Sequence, residues 1–225
     1  MIKIRRFFMH IISYNIRYDF PNDGLDNWHH RKETLKAQIK KAKPDIFCLQ
    51  EVLYEPYIDI KKSFPEYQSF GVGRDDGQNK GEFNPIFYHK KYFTQKDQGT
   101  FWLSKTPTIP SSNWKSGCNR MMTYLLLEEN KTETLYLIVN THLDNASEKA
   151  RTNQALVLVN EIENIPRPEQ TPVILCGDMN AQPQDDAIQI LRKKFTQAED
   201  IASKIEGPSV TFNGFKHQAS FNEMI

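Results

Sequence analysis

Apolar and polar positions follow two periods along this chain. Ile11-Ile12-Ser13-Tyr14, Ile46-Phe47-Cys48-Leu49, Leu135-Tyr136-Leu137-Ile138-Val139 and Val173-Ile174-Leu175-Cys176 are short apolar runs of strand length. Trp28, Leu35, Ile39 and Ala42 instead recur on one helical face, with His, Lys, Arg and Glu opposite. Taken in order, the pattern predicts a strand at about 10–17, a loop at 18–27 and a helix from 28 that ends before Lys43-Pro44. A strand at 45–50, a helix at 54–63 and a strand at 67–72 follow. Segments 84–89 and 92–102 read as a hairpin, 104–119 as a long irregular loop, and 123–128 with 134–141 as a second hairpin. Asn145 and Glu148 have the spacing of a capping box, and Ala155, Leu158, Val159 and Ile162 form the apolar face of the helix that follows. Pro183 opens a further helix to about Leu191, 195–201 fits neither period, and 210–214 reads as a short strand and turn. Strands and helices alternate with hairpins between them, so the sheets are expected to be mixed.

The ends of these runs carry the candidate chemistry. The first run ends in Asn15, the second in Gln50-Glu51, the third in Asn140-Thr141-His142, and the fourth in Gly177-Asp178-Met179-Asn180. A strand end followed by a simple Asx turn accounts for any one of them. The recurrence is what points further, because an unpaired buried carboxylate costs several kcal/mol. If the strands lie side by side, Asn15, Glu51, His142, Asp178 and Asn180 face one cleft. Such a cleft offers oxygen ligands to a Mg²⁺-like cation and an imidazole for proton transfer.

Composition narrows the class. A chain of 225 residues, 39% hydrophobic and 12% aromatic, is expected to fold as one domain with a large core. Twenty-nine basic and 28 acidic residues leave a net charge of +1, which gives no support to strong non-specific nucleic-acid binding. Cys48, Cys118 and Cys176 are odd in number and contain no CxxC, so neither a disulfide framework nor a zinc site is expected and the cytoplasm is the default compartment. No run approaches membrane-spanning length, and nothing marks an obligate protein partner. The start, with Lys3, Arg5 and Arg6 before Phe7-Phe8-Met9, lacks a small-residue cleavage site, and Met9 is an alternative first residue. The glycines at 71–81 have neither Walker nor Rossmann spacing.

Ser13-Tyr14-Asn15, Leu49-Gln50-Glu51, Gly81-Glu82, Asn140-Thr141-His142 and Gly177-Asp178-Met179-Asn180, in that order and spacing, resemble the endonuclease/exonuclease/phosphatase superfamily of metal-dependent phosphoesterases. Residues 71–89 and Gly99-Thr-Phe-Trp-Leu-Ser104 resemble a bacterial subgroup of it. The resemblance implies a four-layer α/β sandwich, with two mixed sheets face to face and helices outside. It implies hydrolysis of phosphodiesters or phosphomonoesters with Mg²⁺ or Mn²⁺, on nucleic acid or a phosphorylated small molecule. Glu51 then resembles the main metal-binding carboxylate and Asn15 its amide neighbour. Asp178 and Asn180 resemble the pair that orients the attacking water and a phosphate oxygen. His142 resembles the phosphate-contacting or acid/base histidine, and Glu82 the carboxylate paired with it, which fixes the imidazole tautomer and raises its pKa. From the sequence alone, Arg120 and Arg17 are weaker candidates for clamping a phosphate. Trp102 and Trp114 are candidates to line the cleft, whereas His10, His29, His30, His89 and His217 have no partner pattern.

The family pattern continues with a further strand and a Ser-Asp-His motif, while this sequence ends at Phe221-Asn-Glu-Met-Ile225. The expectation is therefore a sandwich lacking its last strands. The alternative function is a weakly active or inactive remnant that at most binds metal or a phosphorylated ligand.

Overall fold

The structure, a computed structural model, describes residues 8–207. The strand and turn expected at 210–214, His217, the chain end and the start at 1–7 lie outside them.

Two mixed four-stranded sheets form the frame. The first has the order β1-β2-β4-β3, from β1 (Ile11–Asn15), β2 (Ile46–Gln50), β3 (Tyr67–Phe70) and β4 (Ile86–His89). The second has the order β5-β6-β7-β8, from β5 (Phe93–Trp102), β6 (Met121–Glu129), β7 (Leu135–His142) and β8 (Val173–Asp178). Helices α1 (Trp28–Ala42), α2 (Tyr54–Ser63), α3 (Glu148–Asn164), α4 (Asp186–Arg192) and α5 (Ala198–Ile201) complete the described elements, with a 3₁₀ turn at Pro21–Asp26 inside the expected loop. None of these helices is long and apolar enough to cross a membrane.

The two-residue period of each strand sorts its side chains into layers. On β2, Ile46 and Cys48 point to the second sheet and pack with Leu125, Leu127 and Ile138. Phe47 and Leu49 point the other way, onto Trp28, Leu35 and Ile39 of α1 and Tyr57 and Ile60 of α2. Phe47 stacks on Phe87 with centroids 4.4 Å apart, a pair that contributes about 1 kcal/mol beyond its burial. On β6, Met122, Tyr124 and Leu126 face Leu158 and Ile162 of α3 and Leu191 of α4. The result is helix, sheet, sheet, helix: the expected four-layer sandwich. Central strands buried on both faces need continuous apolar runs, which is why β2 and β7 stand out in the sequence.

Three local expectations are corrected. Segments 84–89 and 92–102 do not pair as a hairpin. β4 joins β2 and β3 in the first sheet, β5 joins β6 in the second, and His89–Tyr92 crosses between them. Burial separates them: Ile86, Phe87 and Tyr88 are buried on both faces, whereas β5 alternates exposed and covered residues as an edge strand does. Helix α3 begins two residues later than the Asn145/Glu148 box implies. Its cap is Ser147, whose Oγ accepts from the Ala150 N–H, while Asn145 Oδ1 accepts from Arg120. Pro183 lies in the turn before α4 rather than in its first helical turn.

Candidate functional site

Parallel pairing brings the chemistry together. β1 lies parallel to β2, with Asn15 beside Gln50, and β7 lies parallel to β8, with His142 beside Asp178. Parallel strands end at the same edge, so all four runs deliver their polar termini to one rim. A buried clasp ties the two rims. Gln50 donates to Asn140 Oδ1 at 2.7 Å, and Asn140 donates to the carbonyls of Leu49 and Pro85. Neither amide is exposed beyond 1%.

Above this clasp runs a continuous chain of hydrogen bonds. Asn15 Nδ2 donates to Glu51 Oε1 at 2.9 Å and to Asp178 Oδ2 at 2.8 Å. Asp178 Oδ1 accepts from the Asn180 N–H at 2.9 Å, and Asn180 Nδ2 reaches His142 Nε2 at 2.9 Å and the Leu143 carbonyl at 3.0 Å. The Arg17 N–H donates to Asn15 Oδ1, which turns the amide nitrogen toward the two carboxylates. Backbone conformation is bent to the same end. Glu51 has φ 61° and Asn180 φ 47°, in the left-handed region. Asparagine adopts it readily, but for glutamate it costs about 1–2 kcal/mol. The Tyr18 N–H, donating to Glu51 Oε2 at 3.0 Å, helps to hold that turn in place.

His142 is only 4% exposed. Asn180 donates to Nε2, so the ring proton sits on Nδ1. Nδ1 faces Glu82 Oε2 at 4.0 Å, outside hydrogen-bond range, because Glu82 is held by Arg74 at 2.7 Å. The expectation that Glu82 raises the imidazole pKa is therefore overturned. Burial, with Arg120 and Arg74 nearby, pushes His142 down to about 3. Burial also raises Glu82, partly offset by Arg74.

Thus Asn15, Glu51, Asp178, Asn180 and His142 meet directly, and Glu82 stands beside them. Arg120 is brought to the far side of His142, in a narrow cleft lined also by Arg74, Asn84, Asn119 and Met121. Arg17 is otherwise engaged. Its guanidinium is bidentate to Asp23 and stacks over Tyr18. Trp102 packs under the site, its Nε1 donating to the Arg74 carbonyl.

Sequence reasoning did not single out Arg74 or Asp144. Residues 73–82 form a tight hairpin in which the Arg74 N–H pairs with the Glu82 carbonyl, so the glycine-rich stretch presents Arg74 and Glu82 side by side. Asp144 is wholly buried and accepts from Ser116 Oγ and the N–H groups of Gly117, Ala146 and Ser147. It pins the long loop 103–120 to the start of α3. The hydrogen bonds to Ser116, Ser147 and Gly117, with Arg120, outweigh its burial and hold its carboxyl below the usual range. A lone acid two residues after a histidine gives no periodic signal of that role.

Two mixed sheets, helices on both outer faces and a polar cleft at the shared strand ends define an α/β-sandwich protein with a site at one sheet edge. A model of the Endonuclease/Exonuclease/phosphatase family matches residues 12–220, and the chain belongs to that family. A functionally unknown conserved protein from Enterococcus faecalis is 31% identical, with a TM-score of 0.89 over 96% of this chain and 84% of that one. The Bacteroides thetaiotaomicron mannosyl-6-phosphatase is also 31% identical, with a TM-score of 0.80 over 83% of this chain and 71% of that one. The Mycosarcoma maydis CCR4-Not complex 3'-5'-exoribonuclease subunit Ccr4 is 26% identical over 92% of this chain. The match takes in 39% of that exoribonuclease, so the chain spans less than half of it.

Proposed function

We propose that this chain hydrolyses phosphate esters with the help of a divalent cation, Mg²⁺ or Mn²⁺. The observation that carries the reading is the single hydrogen-bonded chain Glu51–Asn15–Asp178–Asn180–His142, assembled from four strand ends.

The donor set fits a hard cation. Glu51 and Asp178 supply carboxylate oxygens bridged by one amide. Among the described residues no three His, Cys, Asp or Glu side chains converge as a ready-made metal cage. Mg²⁺ is commonly held by one or two carboxylates together with water and substrate phosphate oxygens, which suits this arrangement. Glu51 would hold the ion through a carboxylate oxygen and Asn15 through Oδ1, the only amide atom that can ligate, which already accepts from the Arg17 N–H. When bound, it supplies Lewis acidity and neutralises charge on the phosphoryl oxygens.

The chain's own residues do the positioning. Asp178 orients the attacking water; its Oδ2 lies 3.8 Å from His142 Nε2. Asn180 fixes the imidazole and offers its amide to a phosphate oxygen. His142, neutral at pH 7, acts as a hydrogen-bonding partner of the phosphate. Glu82, held by Arg74, stands 4.0 Å behind the imidazole. Water oxygen bonds to phosphorus as the ester P–O bond breaks; the Asp178 carboxylate takes a proton from that water, and the departing alkoxide takes one from solvent and leaves as the alcohol.

Among substrates, a phosphorylated small molecule ranks ahead of nucleic acid. The 31% identical sugar-phosphate phosphatase and the near-neutral charge support this order. The free cysteines suit a reducing cytoplasm, and residues 1–225 are read as one domain, of which the family model matches 12–220. The test is hydrolysis of a generic phosphodiester and a generic phosphomonoester by the purified chain, with Mg²⁺, with Mn²⁺ and with chelator. Metal-dependent turnover lost in Glu51→Ala and Asp178→Ala is the expected result. Turnover that survives both substitutions removes this site from the reaction.

A further inference from the structure

We propose that the cleft between Arg74, Arg120 and the Nδ1 side of His142 is a second oxyanion site, distinct from the position of the reacting phosphate, and that it takes a further phosphate-like group.

Four buried nitrogens carry the inference. Arg74 Nε, Arg120 Nε, Arg120 Nη1 and His142 Nδ1 have no hydrogen-bond acceptor among the described residues. All three side chains line the same cleft. Arg120 is 5% exposed and His142 4%. Leaving a buried donor unpaired is costly, so four together mark a place where acceptors are expected from outside the chain.

The neighbouring acids cannot fill that need. Asp144 stands 3.8 Å from Arg120 Nε, and both its oxygens are taken by Ser116, Gly117, Ala146 and Ser147. Glu82 is spent on Arg74 Nη1 and stands 4.0 Å from His142 Nδ1. Asp75 stands 4.0 Å from Arg74 Nε and is half-exposed. These acids balance the charge of the two guanidinium groups but leave their N–H directions unmet. Nor does water fit: as it stands the cleft is too tight to admit one. For an oxyanion to enter, the 73–82 hairpin that carries Arg74 would have to shift outward. Several donors arriving from different sides suit an oxyanion with three or four oxygens, and two guanidinium groups are well suited to bind one.

The site is separate from the reacting centre because His142 stands between them. Its Nε2 faces Asn180 and Asp178, and its Nδ1 faces the arginines. The oxyanion has two possible sources, a second phosphate on the substrate or free inorganic phosphate. The substrate source rests on the phosphoesterase reading above, whereas binding itself does not.

The experiment is titration of the full chain, freed of metal by chelation, with inorganic phosphate, glucose 6-phosphate and glucose 1,6-bisphosphate, read by calorimetry. Saturable phosphate binding is expected, weakened about tenfold or more in Arg120→Lys and in Arg74→Gln, since each loses charge-assisted hydrogen bonds. Glu51→Ala is expected not to weaken it. Melting temperatures without phosphate check folding, and Arg74→Gln on the hairpin keeps the test alive if the Arg120 variant unfolds. No saturable binding below roughly 10 mM, a limit well short of millimolar affinity, overturns the proposal. Binding that Glu51→Ala abolishes, or that both arginine variants retain, also overturns it. The same metal-free titrations separate the sources, since no hydrolysis is expected there: a bisphosphate preferred about tenfold over the monophosphate points to the substrate, and equal affinities point to free phosphate. Hydrolysis that fails while phosphate binding holds counts against the enzyme reading alone.

Discussion

Gly177→Ala should damage both the fold and the site. Gly177 lies on β8 opposite Thr141 of β7, one residue before Asp178, with φ 152°. A Cβ there would stand 2.3 Å from the Thr141 carbonyl oxygen and 3.0 Å from both its carbonyl carbon and Cγ2. The obstructing atom is backbone of β7, an interior strand, so it cannot rotate away, although β8 itself is the edge strand of the sheet. Ordinary contact begins near 3.4 Å, so the two strands must part by about 1 Å. Overpacking of that kind costs about 1–3 kcal/mol and the unfavourable φ about 1–3 more. A loss of about 2–6 kcal/mol lowers the melting temperature by roughly 5–20 °C in a chain of this size. The same displacement moves Asp178 against His142, its register partner, and about 1 Å of misplacement is enough for a hundredfold loss of rate.

The assay is paired: thermal unfolding, and phosphodiester hydrolysis with Mg²⁺. Gly24→Ala is the control. Gly24 has φ 57° with ψ −120° and open space around its missing Cβ, so it reports the conformational cost alone, about 1–3 kcal/mol. If Gly177→Ala melts no lower than Gly24→Ala and keeps its rate within threefold, the close approach of β7 and β8 is not what holds Asp178, and the reasoning fails.

Chelation should abolish hydrolysis, and added Mg²⁺ or Mn²⁺ should restore it; a rate indifferent to chelator would remove the cation from the proposal. Asn15→Ala deletes the amide that separates and bridges Glu51 and Asp178. The rate should fall about a hundredfold with little change in melting temperature, because Asn15 lies on an edge strand; a rate within threefold of the parent would show that the bridge is not needed. Asp144→Asn should cost about 3 kcal/mol at pH 7, measured by urea unfolding, since donors that met a carboxylate then meet an NH₂ group. Asp144 titrates below its ordinary value of 3.8, so its contribution is complete above that pH and fades as pH falls through the lower folded value. The gap between parent and variant should therefore close in acid, and a gap that widens there would contradict the sign.

The sheets were legible because burial on both faces demands uninterrupted apolar runs. β2 and β7 announce themselves in that way, the half-buried edge strand β8 only through its apolar run, α1 through a helical face that ends before Pro44, and α2 by its stop at Pro65. What the pattern could not reveal is which sheet a strand joins. β4 and β5 are adjacent in sequence and both strand-like, and the expected hairpin was the shortest connection. The difference lay in tertiary burial, which a short run does not encode. The α3 cap was misread for a related reason. Asn145 has the chemistry of a cap, but Arg120, from 25 residues upstream, claims its side chain, and Ser147 caps in its place.

For the site, the sequence carried the residues that end strands and missed those that act through long-range contacts. Asn15, Glu51, His142, Asp178 and Asn180 are visible because a polar group at the end of an apolar run conflicts with its neighbours unless the rim is wanted. Arg74 and Asp144 stand in loops where charged residues are ordinary. Their burial comes only from the packing of the 73–82 hairpin over Trp102 and of the 103–120 loop onto α3. The charge of His142 depends on that same packing. The family resemblance pairs Glu82 with His142 and so implies a raised imidazole pKa, but Arg74 takes Glu82 and burial pushes His142 the other way. The sequence indicates which groups meet, while the protonation of a buried group depends on which partner gets there first. Here Arg74 holds that carboxylate, and burial of the imidazole favours its neutral form.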